Sequence, residues 1–549
     1  MNISILNDLV YAAARNIDAV EQFTGDPSII NSELQSELKS DSNTFIDGGV
    51  LPDDFQVNLL FPADSMDDFF TVENPFTSSL VSDSDLSAAV SKSKLNPKSD
   101  AKLNSISNSK SKADASSDSE CFDISNFSDN SGLTGIPKFV SGLNREFDVL
   151  QIRDDFPILS ELVHGKRLVW FDNGATTQKP RAVIDRLRYF YEHENSNVHR
   201  GAHDLAARST DAYEGARDIV RKFLNASSSN EIIFVRGTTE AINLVAYAWG
   251  RDNIHAGDEI VISYLEHHAN IVPWQVLASE IGAKIRVIPV NSDGELLISD
   301  YVDILRSGKV KLVAVTQVSN AIGTITPAED IVQIAHNFGA KVLVDGAQSA
   351  PHILTDVQKL GVDFFVFSGH KIFAPTGIGI LYGRESILNS MRPYQSGGGM
   401  ISDVTFERTI YNSAPSRFEA GTGNIADAVG LGAALDYVNS IGLDSIRRYE
   451  SRLVEYILEE FNKIPQVRVI GNPSNRAAVV SFLVDGLNAS EVNKILAAEG
   501  IAVRAGHHCA QPILRYFGLE ETVRASLAFY NTHEEIDLLV KVIKNIIRN

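Results

Sequence analysis

The chain has 549 residues, 44% of them apolar and 22% charged, which is too long for one ordinary domain and apolar enough to build a real core. Its formal charge of −21 argues against a sequence-independent nucleic-acid binder, because such a protein needs a basic face. No run of about 18 uninterrupted apolar residues occurs, so no spanning helix and no membrane partner is expected; the only cysteines, Cys121 and Cys509, exclude a disulfide scaffold and point to a reducing, cytoplasmic compartment.

Residues 1–140 carry 22 Asp+Glu against 9 Lys+Arg, a net of −13, which leaves −8 for residues 141–549. The N-terminus lacks a basic segment followed by an apolar one, so no signal peptide is expected. Leu6, Leu9, Val10, Ala13, Ile17 and Val20 recur at helical spacing and predict an amphipathic helix in an extension over residues 1–77. Residues 78–131 hold 18 serines in 54 positions. Such a stretch cannot bury enough surface to offset the entropy of ordering, so residues 78–140 read as a disordered linker in which Cys121 is an incidental thiol. From residue 141 short apolar runs alternate with helical stretches: EIIFV (231–235), EIVISY (259–264), KIRVIPV (284–290), KLVAVT (311–316), KVLVD (341–345), DFFVFS (363–368) and GIGILYG (377–383). This is the rhythm of an α/β domain with a mostly parallel sheet, placed at 141–430. Beyond it, long helical stretches precede shorter strands such as AAVVSFLV, which predicts a smaller C-terminal α+β domain over 431–549.

The most informative run is Phe367-Ser368-Gly369-His370-Lys371, just past an apolar strand. A lysine there sits where α/β sheets place their ligands. Upstream, KVLV ends in Asp345-Gly346-Ala347-Gln348, and an acid at the end of a buried strand is costly unless it meets a cation. A pyridinium nitrogen is such a cation, and pyridoxal phosphate (PLP) enzymes pair a lysine with an aspartate in this way. Thr238 and Thr239 open a helix after EIIFV; free N–H groups and two hydroxyls there suit a phosphate, although the run Thr-Thr-Glu also suits a capping box. Ser368 and His370 offer two further donors. His267 and His268, after EIVISY, offer a ring to stack on a pyridine, or else a metal site or a polar loop. No Cys or carboxylate set at ligand spacing accompanies them, so no metal is expected. Cys509 lies in Arg504-Ala-Gly-His-His-Cys-Ala-Gln-Pro. A lone cysteine is most often a small buried apolar residue, but positive neighbours favour its nucleophilic thiolate.

The runs FDNGATTQKP, NVHRGAHDLA, GTTEAINLVA, EHHANIVPWQ, VSNAIGT, DGAQSAPH, SGHKIFAPTGIGILYG, RFEAGTGNIA, VRAGHHCAQP and RASLAFYNT together resemble, in order, the group II (SufS-type) cysteine desulfurases, PLP enzymes of the class V aminotransferase family with fold type I. The resemblance covers residues 145–549. It implies that Lys371 carries the cofactor, that Asp345 meets the pyridinium, that Gln348 contacts the phenolate oxygen and that His267 stacks on the ring. Thr238, Thr239, Ser368 and His370 would hold the phosphate, with Thr422 reaching in from the second subunit of a homodimer. Asn320, Arg200 and Arg524 would position the substrate carboxylate, Arg504 would line the mouth, Cys509 would carry a persulfide and His268 would carry a proton. The implied reaction turns L-cysteine into L-alanine and hands sulfur to a SufE-like or SufU-like acceptor for iron–sulfur cluster assembly. Gly174 and Gly423 stand where the family usually has Ala and Pro, and residues 1–140 have no counterpart in its pattern.

Two other readings use the same residues differently. A selenocysteine lyase shares the fold and the lysine and depends less on Cys509. A scaffold with a degenerate core has no need of Lys371, Asp345 and Cys509 together. Because every residue given a role lies between Arg200 and Arg524, a chain beginning at residue 141 is expected to fold, bind PLP and act on L-cysteine with a small acceptor thiol. Comparing melting and turnover with the full chain checks this; aggregation or loss of PLP would mean that residues 1–140 cover part of the core.

Overall fold

The computed structural model describes residues 147–199, 201 and 203–548; the N-terminal apolar repeat, the serine-rich stretch, Cys121 and Arg200 lie outside the described residues. The seven predicted strands form one sheet: β1 Ile232–Val235, β2 Glu259–Ser263, β3 Lys284–Ile288, β4 Val310–Thr316, β5 Lys341–Asp345, β6 Phe364–Ser368 and β7 Gly379–Gly383, in the order β1-β7-β6-β5-β4-β2-β3. Strands β2 to β6 are mutually parallel, and β7 runs antiparallel to both β6 and β1. The double reversal across β7 makes β1 parallel to β6, so six strands end at one edge of the sheet.

Successive side chains point to opposite faces. Leu343 joins Leu312, Phe364 and Leu381 in one apolar cluster, while Val342 and Val344 join Val313, Phe365 and Ile380 in the other. Cover on both faces explains the unbroken apolar runs of the central strands. At the edge, β3 exposes Lys284, Arg286 and Val287, the kind of charge that blunts further strand pairing.

On one face, helices α1 Arg181–His193 and α2 Asp204–Phe223 pack against a later helix, whereas α3 Thr238–Val245 opens directly after β1. That later helix, α4 Ile425–Ile441, runs unbroken through residue 430, where the sequence had suggested a domain boundary. Most of it is buried, with Asp436 and Asn439 exposed, and Gly432 lets α2 approach: a Cβ there would stand 3.2 Å from that of Ala216. The chain turns at Gly442 (φ 89°) into α5 Leu443–Asn462. A second, antiparallel sheet follows, with β8 Val467–Val469, β9 Val479–Val484, β10 Arg504–Gly506 and β11 Thr522–Ser526 in the order β8-β9-β11-β10. Residues far upstream attach to it: Val169–Trp170 pair in parallel with Ile501–Ala502, and Asp172 bridges to Ser526.

Gly379 on β7 is where the large sheet and the β1–α3 turn come closest. A Cβ there would lie 2.5 Å from Gly237 Cα and 2.7 Å from Phe367 O, both backbone atoms that cannot rotate aside. Gly379→Ala is therefore expected to destabilise the protein by about 1–3 kcal/mol, the usual cost of overpacking, and to weaken phosphate-containing ligands at the α3 N-terminus. Thermal melting and PLP titration check both effects.

Candidate active site

Loops leaving the common sheet edge meet at a cavity of about 280 Å³. The turn after β1 brings Thr238 and Thr239, that after β2 His267, that after β4 Asn320, that after β5 Asp345 and Gln348, and that after β6 Ser368, His370 and Lys371. The C-terminal sheet and its loop add Arg504, Cys509 and Arg524. Three predicted site residues are not in this wall. Thr422 is exposed, with its Oγ1 3.4 Å from Asn197 Oδ1. His268 faces a neighbouring groove, its ring 5.6 Å from that of His507. Arg200 lies outside the described residues.

At one end of the cavity, the Thr238 N–H donates to Ser368 Oγ at 2.9 Å and the two hydroxyls share a hydrogen bond of 2.8 Å. The cap of α3 is Gly237, with no capping side chain, so the capping-box reading of Thr-Thr-Glu is not realised. First-turn N–H groups have no partner within a helix, which leaves an anion corner. Burial holds the His370 pKa down at about 4, helped by Lys371, so this ring is a neutral donor.

Deeper in, Asp345 is 3% exposed and its Oδ1 accepts from the Ala347 N–H at 2.9 Å. Burial pushes its carboxyl above the usual range, against that hydrogen bond and the pull of Lys371. The same burial pushes the Lys371 amine below the ordinary lysine value, with the charge of Asp345 opposing and that of Arg524 adding. His267 is held at about 3, first by burial and then by Lys371. Its Nδ1 accepts from the Ala269 N–H at 3.0 Å, which places the proton of the neutral ring on Nε2. Gln348 Nε2 donates to Gly174 O at 2.7 Å.

Cys509 sits in a strained loop. His508 and Cys509 have φ of 53° and 54°, left-handed values uncommon outside glycine. Four hydrogen bonds hold them there. Asn320 Nδ2 donates to His508 O at 2.6 Å, and the His268 N–H to Cys509 O at 2.8 Å. The Cys509 N–H reaches His507 Nδ1 at 3.0 Å, and His508 Nε2 lies 2.8 Å from Thr522 Oγ1. Burial, reinforced by Arg524, brings the His508 pKa to about 2. His508 is therefore neutral and is not one of the positive neighbours expected beside Cys509; the guanidiniums of Arg504 and Arg524 remain.

His508, expected as a positive neighbour of Cys509, lines the cavity as a neutral ring. Sequence reasoning missed two groups. Asp172 pairs with Arg524 and Arg504. Glu266 lies fully buried before His267, accepting from the Thr316 N–H at 3.0 Å and Asn270 Nδ2 at 2.7 Å; burial raises its pKa to about 8 against these bonds. Glu266 carried a signal, an acid at a buried strand end. Asp172 did not, because its partners are 332 and 352 residues away.

The sequence model of the class-V aminotransferases matches residues 169–539. The chain belongs to the aminotransferase class-V family. A cysteine desulfurase of Synechococcus elongatus is 62% identical over 400 residues, 73% of this chain and 64% of that protein, so the chain spans less than two thirds of that relative. A cysteine desulfurase of Escherichia coli is 49% identical over 403 residues and is matched over 99% of its length. Among solved structures, a cysteine desulfurase of Thermococcus onnurineus superposes with a TM-score of 0.70 at 40% identity, and one of Escherichia coli with 0.67 at 37%; these cover 74% of this chain and 99% of theirs. Class-V members are PLP proteins, and this cavity fits that group. Thr238, Thr239, Ser368 and His370 would hold the phosphate. Asp345 has no cation at ion-pair distance among the described residues and would meet the pyridinium nitrogen. Arg524 Nε is a buried donor without a partner, which suits a carboxylate, whereas the unpartnered Asn320 Oδ1 is an acceptor and calls for a donor.

Asp345→Asn is expected to weaken PLP binding by at least about tenfold, the order of a lost charge-assisted hydrogen bond. Cofactor titration of the apoprotein checks this, and an unchanged affinity would remove Asp345 from the cofactor site.

Proposed function

We propose that the protein is a cysteine desulfurase that converts L-cysteine to L-alanine and leaves the sulfur on Cys509. The observation that carries this reading is that Cys509, from the C-terminal part of the chain, lines the same cavity as Lys371 and Asp345 from the large sheet. Relatives named as cysteine desulfurases support the choice of substrate. PLP, when bound, supplies an electron sink for charge developing at the substrate Cα. Asp345 would keep the ring nitrogen protonated, and the face of the neutral His267 imidazole would lie against the ring. Lys371, made less basic by burial, would take the Cα proton as a free amine and return a proton afterwards. Arg524 would orient the carboxylate, with the second Nδ2 proton of Asn320, whose first goes to His508 O, as a further donor, so that the substrate sulfur faces Cys509.

The thiolate of Cys509 would then attack that sulfur. An Sγ–S bond forms as the substrate Cβ–S bond breaks, and Cβ takes up a proton. L-cysteine and an enzyme thiol thus become L-alanine and an enzyme persulfide, with no external oxidant. His268, outside the cavity wall, would reach this step only through its backbone bond to Cys509. A nucleophile built into the cavity favours a desulfurase over a selenocysteine lyase. The finer assignments are a SufE-like or SufU-like acceptor, a role in iron–sulfur assembly, a cytoplasmic location and a homodimer. Thr422, exposed and away from its own chain's cavity, supports the homodimer.

Lys371→Ala should lower alanine release by about a hundredfold or more, the range of a lost general base. Cys509→Ala should keep PLP and substrate binding and lose persulfide formation. Because the free amine of Lys371 is the active form and its pKa is lowered, the wild-type rate should rise with pH through a limb below the ordinary lysine range and then level off. Alanine assays and persulfide trapping across pH check these outcomes; wild-type desulfuration by Cys509→Ala would remove the cysteine from the mechanism.

A further inference from the structure

Arg504 and Arg524 are direct cross-strand partners on β10 and β11, and both line the cavity. Like charges so placed repel each other. Arg524 is also 2% exposed, where an unpaired guanidinium is costly. One carboxylate answers both problems. Asp172 Oδ1 lies 3.0 Å from Arg524 Nη2, and Oδ2 lies 3.3 Å from Arg504 Nη1. Among the described residues no other acid pairs with either arginine.

The acid is held on rigid backbone. Asp172 bridges to Ser526, whose N–H donates to Phe171 O at 2.7 Å, and the Gly174 N–H reaches Ser526 Oγ at 2.7 Å. Arg524 spends Nη1 on Asn320 O at 3.0 Å and keeps a buried Nε without a partner. Arg504 has a 45% exposed side chain, and Asp172 is its single ion-pair partner among the described residues. Two guanidiniums and one carboxylate leave a formal charge of +1, which one further carboxylate would neutralise.

We propose that Asp172 is the positioning residue of an anion subsite: it holds Arg504 beside Arg524 so that both accept the α-carboxylate of an amino-acid substrate. The proposal rests on the reading of this cavity as the substrate site. Without the charge of Asp172, Arg504 turns to water and Arg524 meets the carboxylate alone.

The test is Asp172→Asn, which keeps the shape and one acceptor oxygen and removes the charge. In the PLP-loaded protein, L-alanine binding, read from the cofactor spectrum, should weaken about tenfold, the scale of a displaced charged contact. KM for L-cysteine should rise by a similar factor and more than kcat falls. In an Arg504→Ala background the same substitution should cost about twofold, since the cation it acts through is absent. Asp172→Glu, which keeps the charge, should retain more L-alanine affinity than Asp172→Asn and carries the test if the amide variant does not fold. Unchanged L-alanine affinity, an equal loss with and without Arg504, or a parallel loss of PLP affinity would overturn the proposal. A wild-type protein that binds L-alanine yet forms none from L-cysteine would sink the desulfurase reading alone.

Discussion

Burial of the Asp345 carboxylate at the end of β5 is the constraint around which the cavity is arranged. A charge at that depth costs several kcal/mol unless something answers it. The same desolvation makes Asp345 harder to ionise and Lys371 harder to protonate, and the charge of each opposes the shift of the other. Their placement is a property of the sheet. Strands β5 and β6 are adjacent and parallel, with Asp345 opposite Val366, and Lys371 follows one short turn later. Gly346 makes the turn behind the acid possible, because a Cβ there would stand 2.0 Å from the Phe365 ring.

Around this pair the site is assembled from both ends of the described chain. The large sheet supplies the lysine, the acid and the anion corner. The C-terminal sheet supplies the cysteine and two arginines, and the segment ending at Asp172 crosses back to fix those arginines in place. Such a composite needs the two parts to keep their relative position, and bonds across the seam do this: Asn320 to His508, His268 to Cys509 and Arg524 to Asn320.

What the sequence disclosed and what it withheld divide along the same line. Lys371, Asp345 and the Thr238–Thr239 pair were legible because each follows an apolar run that can only be a buried strand, and a polar group there needs a reason. All seven strands of the large sheet were legible for the same cause, even β3, whose exposed face differs from the rest. The Arg504–Arg524–Asp172 cluster was not, because strand register in the second sheet and a crossing from residue 172 bring it together and no local pattern encodes either. The neutrality of His508 was hidden for a related reason: two adjacent histidines beside an arginine look cationic in a sequence, and only burial reveals that one is not. The division expected at residue 430 falls inside α4, a helix whose many apolar residues give its period little direction.

The loop that carries Cys509 is pinned at two successive carbonyls, one by Asn320 and one by His268, with its backbone already in left-handed geometry. Pinned carbonyls do not travel. A sulfur atom attached to Cys509 can therefore move only as far as rotation about the cysteine's own side-chain bonds allows, a reach of a few bond lengths. On the proposed desulfurase reading, an acceptor would have to bring its own thiol down to the mouth beside Arg504, which would favour a nucleophile on a projecting loop over one on a flat face.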